Sequence, residues 1–210
     1  MIDKKKKYWN DYYDLPKNNL KIPSQFAAFI LNEYQTVEKI IEFGCGDGRD
    51  SFFFSNYDKK VMGVDYSETA ILKNSHDNQK NNLTFKNLNV SDQKMINEFI
   101  EENFSYWKNS LIYARFFIHA IDESSENNFL KICDKLFEDF GVLALEFRTN
   151  RDEKLQKETL SHFRRFINPL DLIYKLKNMN LKISYFYEGW GFAKYKNDDA
   201  YIARLVAERN

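Results

Sequence analysis

Residues 39–49 read Lys-Ile-Ile-Glu-Phe-Gly-Cys-Gly-Asp-Gly-Arg, so Gly44, Gly46 and Gly48 fall at alternate positions directly after an apolar run. Glycine adopts positive φ without strain and lets a ligand come close to the backbone. A strand that breaks into such a loop before a helix presents main-chain N–H groups to a polar ligand. A second apolar run ends in Asp65. A carboxylate about 20 positions beyond a glycine loop can accept hydrogen bonds from ribose hydroxyls. Asp65 also reads as a helix N-cap beside Ser67. The dinucleotide pattern G-x-G-x-x-G needs glycine where this chain has Arg49, which argues against a nicotinamide cofactor. A plain glycine-rich turn is the other reading of the loop taken alone.

These residues need a framework. Runs at 40–43, 60–65, 83–88, 110–114 and 142–147 read as buried strands, with helical stretches between them. That alternation predicts a parallel sheet with right-handed crossovers. Runs at 181–187 and 201–206 have no helical period between them and are predicted to pair antiparallel. Pro23–Tyr34 is predicted as a helix with Pro23 in its first turn. Ala70, Ile71 and Leu72 are expected to face inward from a helix over 67–78. Phe129, Leu136 and Phe140 define another apolar helix face, with Gly141 expected to end that helix.

The 210 residues suffice for one domain with a real core. Lysine plus arginine and aspartate plus glutamate each total 31, so no global field draws the chain to nucleic acid or a membrane. The Lys4–Lys7 run reads as a solvated start rather than a signal, and no apolar segment is long enough to span a bilayer. Two cysteines suggest neither a disulfide framework nor a zinc site, which fits a reducing cytoplasm.

Glu-x-Gly-x-Gly-x-Gly at 42–48, followed by Gly-Val-Asp-Tyr-Ser at 63–67, resembles the first two motifs of the class I S-adenosylmethionine (SAM)-dependent methyltransferases. The resemblance implies an α/β, Rossmann-like fold: a seven-stranded, mostly parallel sheet with an antiparallel last strand and helices on both faces. It implies one methyltransferase domain over 1–210, with a helical cap at 1–36, a core at 37–206 and a substrate-side insertion at 148–168. It implies SAM as cofactor, S-adenosylhomocysteine as product, and binding by Glu42, Gly44, Cys45, Gly46, Asp65, Tyr66 and Ser67. Asn89 would accept from the adenine amino group, with Asp92 as rival, and the Val90 N–H would reach the ring. Trp9, Tyr13 and Phe26 in the cap would cover the sulfonium, or else pack on the sheet.

Ligands of such sheets lie outside the carboxyl ends of the strands. That edge carries Arg115 and His119 after the fourth strand, Arg148 after the fifth, and Trp190 and Lys194 in the loop between the last two. His119 and Arg115 are the catalytic candidates: His119 as a base, or a packed residue; Arg115 beside the methyl donor, or a brace for Glu146 or for the carboxylate of SAM, which would make it a cofactor residue too. Tyr13, His119, Arg148, His162, Arg164, Arg165, Trp190 and Lys194 are the acceptor candidates, an arginine-rich set suited to an anion. The fourth strand lacks both the Asn/Asp-Pro-Pro-aromatic motif of nucleobase amino methylation and an aspartate for a magnesium site, so no metal is expected. Ala-Arg-Phe-Phe-Ile-His-Ala-Ile-Asp at 114–122, Ala-Leu-Glu-Phe-Arg-Thr at 144–149 and His-Phe-Arg-Arg-Phe-Ile at 162–167 resemble bacterial methyltransferases of capsule and surface-polysaccharide biosynthesis. These methylate sugars or phosphoramidates. The implied partner is a small anionic or sugar acceptor in the cytoplasm, without nucleic acid or membrane; a noncatalytic SAM-binding regulator is the alternative of a different class.

Overall fold

The computed structural model describes residues 4–15, 22–155, 157, 162–195 and 197–209. Strands β1 (Lys39–Phe43), β2 (Lys60–Asp65), β3 (Leu83–Asn87), β4 (Leu111–Arg115) and β5 (Gly141–Arg148) alternate with helices. The helices are α3 (Arg49–Ser55), α4 (Glu68–Asp77), α5 (Gln93–Trp107) and α6 (Glu123–Leu136). They are preceded by α1 (Lys4–Asp14) and α2 (Gln25–Glu33) and followed by α7 (Pro169–Asn178) and β6 (Lys182–Gly189). A small hairpin, β7 (Lys194–Tyr195) with β8 (Asp198–Asp199), leads to β9 (Ile202–Arg209).

The seven-stranded sheet has the order β3-β2-β1-β4-β5-β9-β6, and only β9 runs against its neighbours. This is the Rossmann-like sheet expected, with its order reversing between β1 and β4, where a crevice opens at the carboxyl edge. All eight residues of β5 are buried, as an interior strand covered on both faces requires. One core layer packs Phe43, Phe129 and Leu145 among others; the second packs Phe26, Phe54 and Tyr113. Side-chain caps fix the helix starts: Ser24 for α2, Ser67 for α4, Asp92 for α5, Asp122 for α6 and Asn168 for α7. Such caps contribute about 1 kcal/mol each.

Several local expectations need correction. The Lys4–Lys7 run is the first turn of α1, and Lys5 and Lys6 make ion pairs with Asp122 and Glu68 at 3.2 and 2.6 Å. Pro23 precedes the Ser24 cap instead of sitting inside the helix. Leu72 faces outward, and the buried residues of α4 are Ala70, Ile71 and Asn74, the last donating to the Gly46 carbonyl at 2.8 Å. The helix α6 stops at Leu136; Gly141 opens β5, where a Cβ would run into the Phe137 ring. Of the 148–168 insertion, the described part holds a short 3-10 turn at Asn150–Asp152 and a parallel bridge between Thr149 and Ile167.

Candidate active site

The glycine loop leaves β1 with Gly44 at φ +72° and Gly46 at φ +54°, and the N–H groups of Gly44 and Cys45 both donate to the Val64 carbonyl, at 2.8 and 3.1 Å. A Cβ on Gly44 would stand 2.8 Å from the Phe117 ring, and one on Gly46 would meet the Tyr13 hydroxyl. At the end of β2, Asp65 Oδ2 accepts the Gly46 N–H at 2.9 Å and Oδ1 accepts the Ser67 N–H at 2.8 Å. Burial pushes the Asp65 carboxyl up, while the N–H donors of Ser67, Gly46 and Tyr66 pull it back. Each oxygen keeps acceptor capacity for a hydroxyl. A cleft of about 120 Å³ opens beside them, lined by Trp9, Tyr13, Gly44, Asp65, Tyr66, Leu88, Asn89, Val90 and Phe117. A carboxylate with spare acceptor capacity beside an apolar wall fits the ribose and base of a nucleoside.

Some expected cofactor residues do other work. Asn89 lines the cleft, but its Oδ1 already accepts from the N–H and hydroxyl of Ser91, at 3.0 and 2.7 Å. Its rival Asp92 spends Oδ1 on the Lys94 and Met95 N–H groups. Asn89 Oδ1 thus carries two donors already, while Asp92 stands outside the cleft's lining. Phe26 is fully buried in the core, between Phe29 and Tyr113, away from both clefts. Ser67 is equally buried; its hydroxyl caps α4 and donates to Asn10 Oδ1 at 2.7 Å, anchoring α1. Glu42 is buried and accepts from the Ser51 hydroxyl; burial, and secondarily Asp50, push its carboxyl well up. Cys45 is buried too, which raises its thiol far above the usual range.

A second cleft of about 540 Å³ adjoins the first across Trp9, Tyr13, Gly44, Phe116 and Ala120, which line both. Tyr8 and Tyr12 of α1 extend its aromatic wall, and Glu42, Asp47 and Asp50 lie on its glycine-loop side. Its other side holds Arg115, His119, Arg148, His162, Arg164, Lys194 and Asp198. The arginines are not equivalent. Arg115, Glu146 and Arg204 are register partners across β4, β5 and β9. Both guanidiniums reach the Glu146 carboxylate, at 2.6 and 2.7 Å. Arg115 therefore braces Glu146, and the row keeps one positive charge. Arg148 is buried between Asp152 and Asp198, 2.6 Å from each, so its charge is spent on the fold. Arg165 lines neither cleft; it pairs with buried Glu126 at 2.9 Å. Trp190 is 59 % exposed and packs edge-on against Tyr201, outside both clefts, although its loop lies at the expected edge.

His162, Arg164, Lys194 and His119 also line the larger cleft. His162 stacks on Tyr8 with ring centroids 5.0 Å apart, and Arg164 Nη2 lies 3.3 Å from His162 Nε2. Lys194 enters from β7. Burial lowers Arg164, and the nearby charge of Arg148 lowers it further. His119 is buried, its Nδ1 accepting the Arg148 N–H at 3.1 Å. Burial and then Arg148, Arg164, His162 and Arg115 hold its pKa well below the usual imidazole range.

Phe116 stands at φ +55° directly after β4. That conformation costs a bulky residue of order 1–3 kcal/mol. The Glu146 carbonyl holds its N–H at 2.7 Å and the Arg115 guanidinium lies 4.5 Å from its ring. The ring is thereby held in the wall common to both clefts. The phenylalanine pair at 116–117 reads as core in a sequence, and backbone strain leaves no compositional trace.

Residues 41–143 match the model of a family described as a methyltransferase domain. No curated protein matches the chain. Among solved structures it is similar to a SAM-dependent methyltransferase from Anabaena variabilis, at 17 % identity and TM-score 0.71, covering 100 % of this chain and 96 % of that one. A SAM-dependent methyltransferase from Methanosarcina mazei is similar at 19 % identity and TM-score 0.67, over 86 % and 96 % of the two chains. The magnesium protoporphyrin IX methyltransferase of Synechocystis, solved with bound S-adenosylhomocysteine, is 13 % identical at TM-score 0.65, over 100 % and 89 %.

Proposed function

We propose that this chain, a SAM-dependent methyltransferase, methylates an oxygen of a small anionic acceptor seated in the larger cleft. The acceptor class is a phosphorylated, phosphoramidate or nucleotide-activated compound. The motif resemblance at 114–122, 144–149 and 162–167 supports a place in surface-polysaccharide biosynthesis.

The observation that carries the reading is the positive field on one side of that cleft. Burial first, and cationic neighbours after it, discourage charge on His119 and Arg164, with Asp152 and Asp198 partly offsetting this at Arg164. Two guanidiniums share Glu146, and Lys194 adds its charge nearby. An anion there would relieve the repulsion and find the partners that a desolvated charge requires.

SAM supplies a methyl group activated by its sulfonium when bound. Asp65 would take the ribose hydroxyls, and the rest of the cofactor would lie past Gly44, where both clefts meet. Trp9 and Tyr13, lining both clefts, would shield the meeting point from water. Holding the reactants in line is the main contribution of the protein, and orientation of this kind supplies about 7–11 kcal/mol. An acceptor oxygen that is already ionised would need no base, so the residues of this chain would have only to bind and orient it toward the methyl group that SAM would supply. No proton has to leave.

The test is an acceptor screen with methyl-labelled SAM, pairing each phosphorylated, phosphoramidate or nucleotide-linked compound with its neutral sugar. Labelled product from the anionic members alone is expected, with Arg164→Ala raising the acceptor KM. Equal methylation of neutral sugars, with KM unmoved in that variant, would overturn the reading.

A further inference from the structure

His119 is held at three places. Its carbonyl accepts the Arg165 N–H at 2.8 Å, its ring packs edge-on against Phe116 at 5.2 Å, and its Nδ1 takes the Arg148 N–H at 3.1 Å. The last contact decides the chemistry of the ring. A backbone N–H can only donate, so Nδ1 must present its lone pair, and in the neutral imidazole the proton then sits on Nε2. Among the described residues Nε2 has no hydrogen-bond partner, while the ring lines the larger cleft. To act as a base at Nε2 the ring would have to move its proton to Nδ1. That would set two hydrogens against each other and leave a buried main-chain donor unsatisfied.

The geometry points to His119 as a fixed Nε2–H donor that binds the acceptor oxygen rather than removing its proton. The assignment deepens the anionic-acceptor reading and rests on it for the identity of the cleft. It explains how a histidine at the carboxyl edge of β4 serves an acceptor that needs no deprotonation. It also adds a neutral donor to a cleft side that already carries Arg164 and Lys194. Discrimination follows, since an oxyanion gains a hydrogen bond while an acceptor presenting only a donor meets N–H against N–H.

Two measurements test it on the full chain loaded with S-adenosylhomocysteine. The first is long-range 15N–1H correlation spectroscopy of the three histidines, assigned with His119→Gln. The neutral Nε2–H pattern is expected for His119 at neutral pH. A neutral Nδ1–H pattern or an imidazolium would overturn the assignment. The second is titration with inorganic phosphate and methyl phosphate as probes. His119→Ala should weaken phosphate by about tenfold to a hundredfold, the range for a hydrogen bond to a charged partner. His119→Gln, whose amide nitrogen offers a donor at similar reach, should recover most of that loss. Unchanged phosphate affinity in His119→Ala would overturn the donor role. If the Nε2–H tautomer is found but the wild-type complex binds neither phosphate, the anionic-acceptor reading fails instead.

Discussion

Two carboxyl-edge residues define how this site works atom by atom. Asp65 has both oxygens tied to backbone N–H groups, which orients the carboxylate before any ligand arrives. Asp65→Ala removes the ribose acceptors and should weaken SAM by about 1.5–3 kcal/mol, read by calorimetry with the fold checked by circular dichroism. His119 is buried neutral, its pKa below that of an unfolded histidine. The unfolded chain therefore binds the extra proton first, and stability falls as pH drops below about 6.5. Urea titrations between neutral pH and pH 5 should show that loss, with a slope of up to about 1.4 kcal/mol per pH unit from this group. His119→Gln should remove its share of the slope. Asp65 was legible in the sequence because spacing from a glycine loop is a one-dimensional property. The tautomer of His119 was not, because it depends on a main-chain N–H in another strand, at Arg148.

Strand register explains why arginines that look alike in the sequence differ in the fold. Arg115, Glu146 and Arg204 fall on one row only because β4, β5 and β9 are neighbours, and β9 is distant in the chain. Glu146→Ala would leave two guanidiniums facing each other and should cost about 3–5 kcal/mol, measured by denaturation. Arg148→Ala should also destabilise, since it removes the ion-pair partner of buried Asp198 and leaves Asp152 to Lys157 and the Tyr201 N–H, so the variant reports stability before it reports acceptor binding. Trp190→Ala should leave SAM affinity and acceptor KM near wild type, since its ring lies on Tyr201 and outside the clefts. The strands and most helices were legible, because apolar runs and cap residues act locally. The β7–β8 hairpin and the extension of α1 back to Lys4 were not, the first being two-residue strands and the second a run of lysines whose partners lie far along the chain.

At the scale of the molecule, one helix stands apart from the rest. No residue of α1 is fully buried, and ion pairs to α4 and α6, together with Asn10 on Ser67, fasten it. Exposed pairs of this kind contribute about 0–1 kcal/mol each and weaken with salt. Yet Trp9 and Tyr13 line both clefts. A wall shared by two ligands makes their affinities interdependent: whichever settles α1 first has met its ordering cost on behalf of the other. Thermodynamic linkage then requires reciprocity. The factor by which S-adenosylhomocysteine tightens phosphate must equal the factor by which phosphate tightens S-adenosylhomocysteine. Paired calorimetric titrations should return the same number in both directions, shrinking toward unity at high ionic strength or in a Lys5→Ala, Lys6→Ala double variant. A helix that walls both clefts would thus let cofactor and acceptor sense each other beyond their own point of contact.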